Sequence, residues 1–244
     1  MSLLEKYQKY LVDCTMPGYK PRWYFLSADG WKLLIRENIT PLIEQKLQMF
    51  QLGDYIWADE YDDGKRRVLS FFKINDAYAT LQWGWNFDFV PKGTNAVWAR
   101  TDKSIYTHIF EVSPAFYDPE RDRIQAKHEA RKNTVIGRYD IDARNPERAL
   151  HDKINQHKET FLRLLPLMIE YYRITPTYED IIKRIDYNMK DAWYRFINSG
   201  DLMISKVFIE KRMGLQNQAQ QDFEKILFSD EKIKDAYLKK FNRI

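Results

Sequence analysis

Cysteine occurs once, at Cys14, so no internal disulfide is possible and a cysteine-rich zinc site is excluded. Long apolar runs are missing too. No stretch approaches the ~20 apolar residues that a membrane helix needs. The first residues, Met1-Ser2-Leu3-Leu4-Glu5-Lys6-Tyr7, are charged and have no apolar centre, which argues against a secretory signal. These absences predict a reduced, cytoplasmic protein with no membrane partner. Gly64, Gly84 and Gly93 lack the spacing of a phosphate-cradling loop, and no serine sits in a glycine-flanked elbow. Cys14 has no histidine near it in sequence. Of four histidines, His151 and His157 are six apart, whereas a helical ligand pair needs a spacing of four to share a face. His108 lies on a strand with Tyr106, Phe110 and Val112, the setting of a packed core histidine. No metal, no cofactor and no catalytic residue is expected.

Aromatic side chains are plentiful, with 16 Tyr, 14 Phe and 7 Trp in 244 residues, enough chain to bury a sizeable core. They concentrate in Leu81-Gln82-Trp83-Gly84-Trp85-Asn86-Phe87-Asp88-Phe89-Val90. Large apolar groups take the odd positions and mostly small or polar groups take the even ones. A period of two marks a strand with one buried face. Trp83, Trp85, Phe87 and Phe89 are read as core beneath the C-terminal helices, because contiguous exposed apolar area of that size is rare. Stacking of bases or anchoring of a partner is the other use of such a face. The opposite face, with Gln82, Asn86 and Asp88, is read as solvated, and Gly84 leaves room there for close approach.

Residues 1–13 have apolar side chains at helical spacing and are read as a short helix. Ser27 or Asp29 can cap a second helix, which Pro41 must kink or split. Strands are expected at 55–61, 67–74, 77–90, 96–100 and 104–112, with Asp62-Asp63-Gly64 and Asn75-Asp76 as tight turns. Such short connections imply antiparallel pairing. Residues 114–153 are charged and irregular, with 135–141 as one more strand or an ordered loop. From about 155 the pattern is helical. One helix ends before Pro176, the next opens at the capping residue Thr177, and further segments cover 191–198, 201–213, 216–228 and 230–242. The fold class is α+β: an antiparallel sheet of about five strands, an N-terminal helical region, and a C-terminal helical bundle. Residues 1–153 would form the helix-and-sheet region and 154–244 the helical region, packed as one compact unit.

Several phrases together carry a resemblance. They are Ile39-Thr40-Pro41-Leu42-Ile43, then Phe50-Gln51-Leu52-Gly53-Asp54-Tyr55-Ile56-Trp57, then the aromatic strand through Pro91. Late in the chain come Leu165-Pro166-Leu167-Met168-Ile169-Glu170-Tyr171-Tyr172 and Tyr178-Glu179-Asp180-Ile181-Ile182. Over roughly residues 28–230 the chain resembles a family of uncharacterised bacterial domains, domain of unknown function four-three-zero-four. The resemblance implies an α+β bacterial domain of the kind found near defence, toxin-immunity and mobile-element genes. That family has no established activity, so no functional residue is carried over.

The expected function is non-enzymatic binding of a protein partner, as a toxin-immunity or phage-related inhibitor protein would do. The net charge of +4 speaks against the narrowest version, since nuclease inhibitors tend to be acidic. Candidate partner-binding residues are Arg121, Arg123, Lys127, Arg131 and Lys132 with Tyr117. The same basic segment, through Arg138, supports an alternative: a nucleic-acid-binding accessory protein tracking phosphates. Interleaved Asp122, Glu129, Asp140 and Asp142 favour a salt-bridged surface instead. A third reading is a cryptic metal-dependent nuclease built on Asp59, Glu60, Asp62, Asp63 and Lys65. Against it, such a cluster is the ordinary composition of a charged hairpin tip, with ion pairs worth ~0–1 kcal/mol each.

Overall fold

The computed structural model describes residues 1–13, 20–73, 78–92, 96–98, 108–112, 136–137, 141–190 and 192–244. The chain is mixed helix and strand with antiparallel pairing, the α+β class expected. It divides into two compact units. The first comprises Met1–Trp57, Leu69–Gln82 and Val112–Met168, and the second Ala58–Val68, Trp83–Glu111 and Ile169–Ile244.

In the first unit, α1 (Leu3–Tyr7) begins with a capping box between Ser2 and Glu5. The helix expected over 1–13 stops there. A single tight turn, Gln8–Tyr10, leads into β1 (Leu11–Asp13), which pairs antiparallel with β2 (Trp23–Leu26). Tertiary pairing overrides the helical spacing of Leu11, as it readily does for so short a segment. Gly30 lies against this ribbon. A Cβ there would sit 2.5 Å from the Cβ of Tyr10, so a side chain has no room. Ser27 caps α2 (Ala28–Asn38), accepting from the Gly30 amide at 3.2 Å. Pro41 splits the helical stretch as expected, since it falls in the first turn of α3 (Thr40–Leu47), where its missing N–H costs nothing. The two helices bury Leu34, Ile35, Ile39 and Ile43. Gln48, in the left-handed conformation at φ 59°, ends α3.

β3 (Phe50–Gly53), β4 (Ile56–Ala58), β5 (Lys65–Lys73) and β6 (Tyr78–Phe87) follow. After them come β7 (Pro91–Lys92), β8 (Val97–Trp98), β9 (Ile109–Val112), β10 (Ile136–Gly137) and β11 (Ile141–Asp142). The expected sheet of about five strands is the largest of three, and it has six. The largest has the order β10-β6-β5-β4-β3, with β9 also on β6; β11 joins β2 beside β1; β7 and β8 form a small ribbon. The Asn75-Asp76 turn and residues 99–100 and 104–107 of the expected strands lie outside the described residues.

Helices then follow one another. They are α4 (Pro146–Ile174), α5 (Tyr178–Met189), α6 (Ala192–Arg212), α7 (Gln216–Glu224) and α8 (Glu231–Phe241). α4 starts earlier than the hydrophobic pattern implied, and α6 joins two segments read as separate. Thr177 caps α5 through the Asp180 amide, as its sequence position suggested. In the second unit the C-terminal helices close on Phe208, Phe223, Tyr237 and Phe241, whose rings meet at 5.0–5.9 Å in the Phe208–Phe241 and Phe223–Phe241 pairs. No helix among the described residues is long and apolar enough to cross a membrane.

Candidate functional site

The hairpin between β4 and β5 holds the carboxylates a nuclease reading would use. Asp62 and Lys65 exchange backbone bonds at 2.9 and 3.0 Å, and the two residues between them are left-handed, Asp63 at φ 46° and Gly64 at φ 76°. That is a two-residue hairpin turn of the type that matches strand twist. A side chain at Gly64 would be strained by φ and would also press on Phe89, 3.1 Å from the Cβ position. Of these side chains, Asp59, Asp63 and Lys65 have structural partners. Asp59 takes a two-point contact from Arg67, at 2.5 and 3.0 Å. Lys65 donates to the Pro176 carbonyl and stands over the rings of Trp85 and Tyr178. Asp63 pairs with Arg212 at 3.4 Å and accepts the Tyr178 hydroxyl on its carbonyl. Among the described residues no group of three or more His, Cys, Asp or Glu is placed to hold a metal ion.

The aromatic face of β6 is core, as its alternation predicted. Trp83, Trp85, Phe87 and Phe89 are all at most 8% exposed. Trp85 donates from its indole nitrogen to Thr175 Oγ1 at 2.9 Å, and Thr175 passes a bond to the Tyr171 carbonyl at 2.7 Å. Tyr172 meets Trp85 edge-on and donates to the Val68 carbonyl at 2.9 Å. Burial drives the Tyr172 phenol far above its usual range, so it stays a neutral donor.

The other face departs from expectation. Asn86, read as solvated, is fully buried and organises a polar cluster. Its Oδ1 accepts from the Tyr61 hydroxyl and from Arg66 Nε at 3.0 Å. Its Nδ2 therefore faces His108 Nδ1 at 3.2 Å as a donor, and the Phe87 amide donates to the same ring nitrogen at 3.0 Å. Two donors aimed at Nδ1 place the ring hydrogen on Nε2 and leave no position for a second proton. The His108 pKa is accordingly pushed down to about 3, chiefly by burial and then by the charge of Lys92; the Val90 carbonyl pulls the other way, and the charge of Arg66 adds a smaller downward push. Arg66 is 4% exposed, its Nη2 has no hydrogen-bond partner, and its guanidinium lies 4.3 Å from the Tyr61 ring centre. Among the described residues no carboxylate pairs with it. Arg66, Asn86 and His108 are sealed from solvent and Tyr61 is partly covered, so the cluster is a structural core for the hairpin.

An open concave feature lies elsewhere in the second unit, at the turn between α6 and α7. A depression of about 400 Å³ is lined by Gly214, Leu215, Gln216, Asn217, Gln218 and Gln221. Leu215 is 45% exposed within it, and every other side chain lining it is an uncharged amide. The sequence carried a signal for it in the amide-rich run Gln216-Asn217-Gln218-Ala219-Gln220-Gln221. Read as one more amphipathic segment, that run drew no functional inference. The residues singled out from sequence as partner-binding, Tyr117, Arg121, Arg123, Lys127, Arg131 and Lys132, lie outside the described residues, as does Cys14.

Comparison with known proteins finds no matching family model, no matching curated protein and no matching solved structure.

Proposed function

We propose that this protein is a non-enzymatic binding protein that recognises a protein partner, and that the depression at the α6–α7 turn takes part. The observation that carries the proposal is its lining: one exposed leucine among amides, with no charged side chain. Carboxamides donate and accept at once, which suits the alternating donors and acceptors of a peptide backbone. Leu215 supplies the apolar contact that binding surfaces use as an anchor. A groove for nucleic acid would instead be lined with lysine and arginine. Engagement of Asp59, Asp63 and Lys65 by Arg67, Arg212 and the Pro176 carbonyl further favours binding over hydrolysis. The resemblance to domains near toxin-immunity and phage-defence genes adds the type of partner, a protein of a bacterial or phage conflict system.

Leu215 occupies the capping position of α7, where aspartate is a better cap than leucine. Leu215→Asp should therefore fold while removing the anchor. The test is capture from native host lysate by both forms, with and without nuclease treatment. A protein retained by the wild type after nuclease treatment and lost by Leu215→Asp is the expected result. Capture of nucleic acid by both forms would overturn the reading and favour the basic segment at 121–138.

A further inference from the structure

A second polar cluster joins α5, α6 and α7, enclosed at Lys206, Glu210 and Asp222 and open to solvent at Asp186 and Lys225. Lys206 and Glu210 stand one turn apart on α6, Gln218 and Asp222 face them from α7, Lys225 follows α7, and Asp186 reaches in from α5. Lys206 Nζ is 2.9 Å from Asp186 Oδ1, 3.2 Å from Asp222 Oδ2 and 3.8 Å from Glu210 Oε1. Asp222 also receives Lys225 Nζ at 2.6 Å and Gln218 Nε2 at 3.0 Å. Three carboxylates thus face two ammonium groups, leaving one negative charge in surplus. Glu210 and Asp222 are each 3% exposed, and a buried unpaired charge is costly.

The geometry decides which carboxylate gives way. Asp222 is held by three donors. Glu210 has only the longest of the lysine contacts and lies in the last turn of α6, at the negative end of the helix dipole. As a carboxylate, its Oε2 has no donor in reach. As a carboxylic acid it carries a proton to donate, and the carboxylate that shares Lys206 with it is that of Asp222. We propose that Glu210 and Asp222 form a one-proton latch, a carboxylic acid bonded to a carboxylate, that ties α7 to α6 and loosens when the proton leaves.

Burial pushes Glu210 up to about 7, the charge of Asp222 pushes the same way, and Lys206 opposes them. Burial also acts upward on Asp222, but the bonds from Lys225, Gln218 and Lys206 outweigh it and hold that group down to about 2. The acid form of Glu210 is thus favoured by folding. Its contribution is complete below the ordinary value of 4.5 and is lost as pH rises through about 7.

Glu210→Gln keeps the shape and a donor for Asp222 while removing the titration. Between about pH 4.5 and about pH 8.5 the thermal midpoint of the wild type should fall relative to that of the variant, which becomes the more stable form at the alkaline end. Carboxyl-carbon NMR of the wild-type protein gives a reading that needs no variant. The Glu210 resonance should titrate near 7, and amide shifts over 216–224 should follow the same midpoint. A Glu210 resonance titrating in the ordinary carboxylate range, or a variant with the wild-type slope, would overturn the latch.

Discussion

Two polar clusters in the second unit treat a proton in opposite ways. The sheet cluster around Asn86 contains a permanent cation, Arg66, and no paired acid among the described residues, and its histidine is kept neutral by two donors at Nδ1. The helical cluster around Lys206 contains one more carboxylate than ammonium groups, and its surplus charge is removed by a proton on Glu210. Burial penalises the charged form in both, so it lowers His108 and raises Glu210. The local charge count reinforces burial at each site. Desolvation alone therefore does not set the pH response of a folded chain. The sign depends on which kind of group was buried and beside what.

The consequences for stability are opposite in slope. His108 has a depressed folded value, so its contribution is present above the ordinary 6.5 and is lost as pH falls toward about 3. Glu210 has a raised one, so its contribution fades as pH rises through about 7. Stability should peak between these two flanks.

The largest effect expected is from Trp85→Ala, on the apolar face that backs Asn86. Truncating a buried large aromatic costs ~3–5 kcal/mol, and here it also leaves Thr175 Oγ1 without its indole donor. Chemical denaturation measures it, and a loss below about 1 kcal/mol would contradict the core assignment. Next is Arg66→Met, which removes the cation from the sheet cluster. It should cost ~1–3 kcal/mol through the lost bond to Asn86 and stacking on Tyr61. By NMR, His108 should titrate somewhat higher yet stay below its ordinary value, because burial is the leading cause of its shift. A return to an ordinary histidine midpoint would mean that charge, not burial, governs the site. Smallest is Thr177→Ala, at ~1 kcal/mol for a lost helix cap. It should leave the titrations of His108 and Glu210 where they were.

Much of this architecture was legible in the residues, and the failures have physical causes. Alternation in 81–90 identified which side chains share a face. The Asp-Gly turn, the Ser27 and Thr177 caps and the split at Pro41 each follow from local backbone chemistry. Alternation does not tell whether the second face is covered, and so Asn86 was misjudged. Its burial depends on Tyr61, Arg66 and His108 arriving from residues 20 to 25 positions away. Glu210 precedes Lys211 and Arg212 and reads as an ordinary charged helix end. Only the packing of α7 brings Asp222 against it. β1 was lost to a helix because three residues cannot declare a period.

The most direct measurement is the unfolding free energy across pH for the wild type, His108→Gln and Glu210→Gln, compared as difference curves. The account predicts that wild type minus His108→Gln rises with pH up to about 6.5, while wild type minus Glu210→Gln falls between about 4.5 and about 7. Two difference curves of the same sign, or two flat ones, would contradict it.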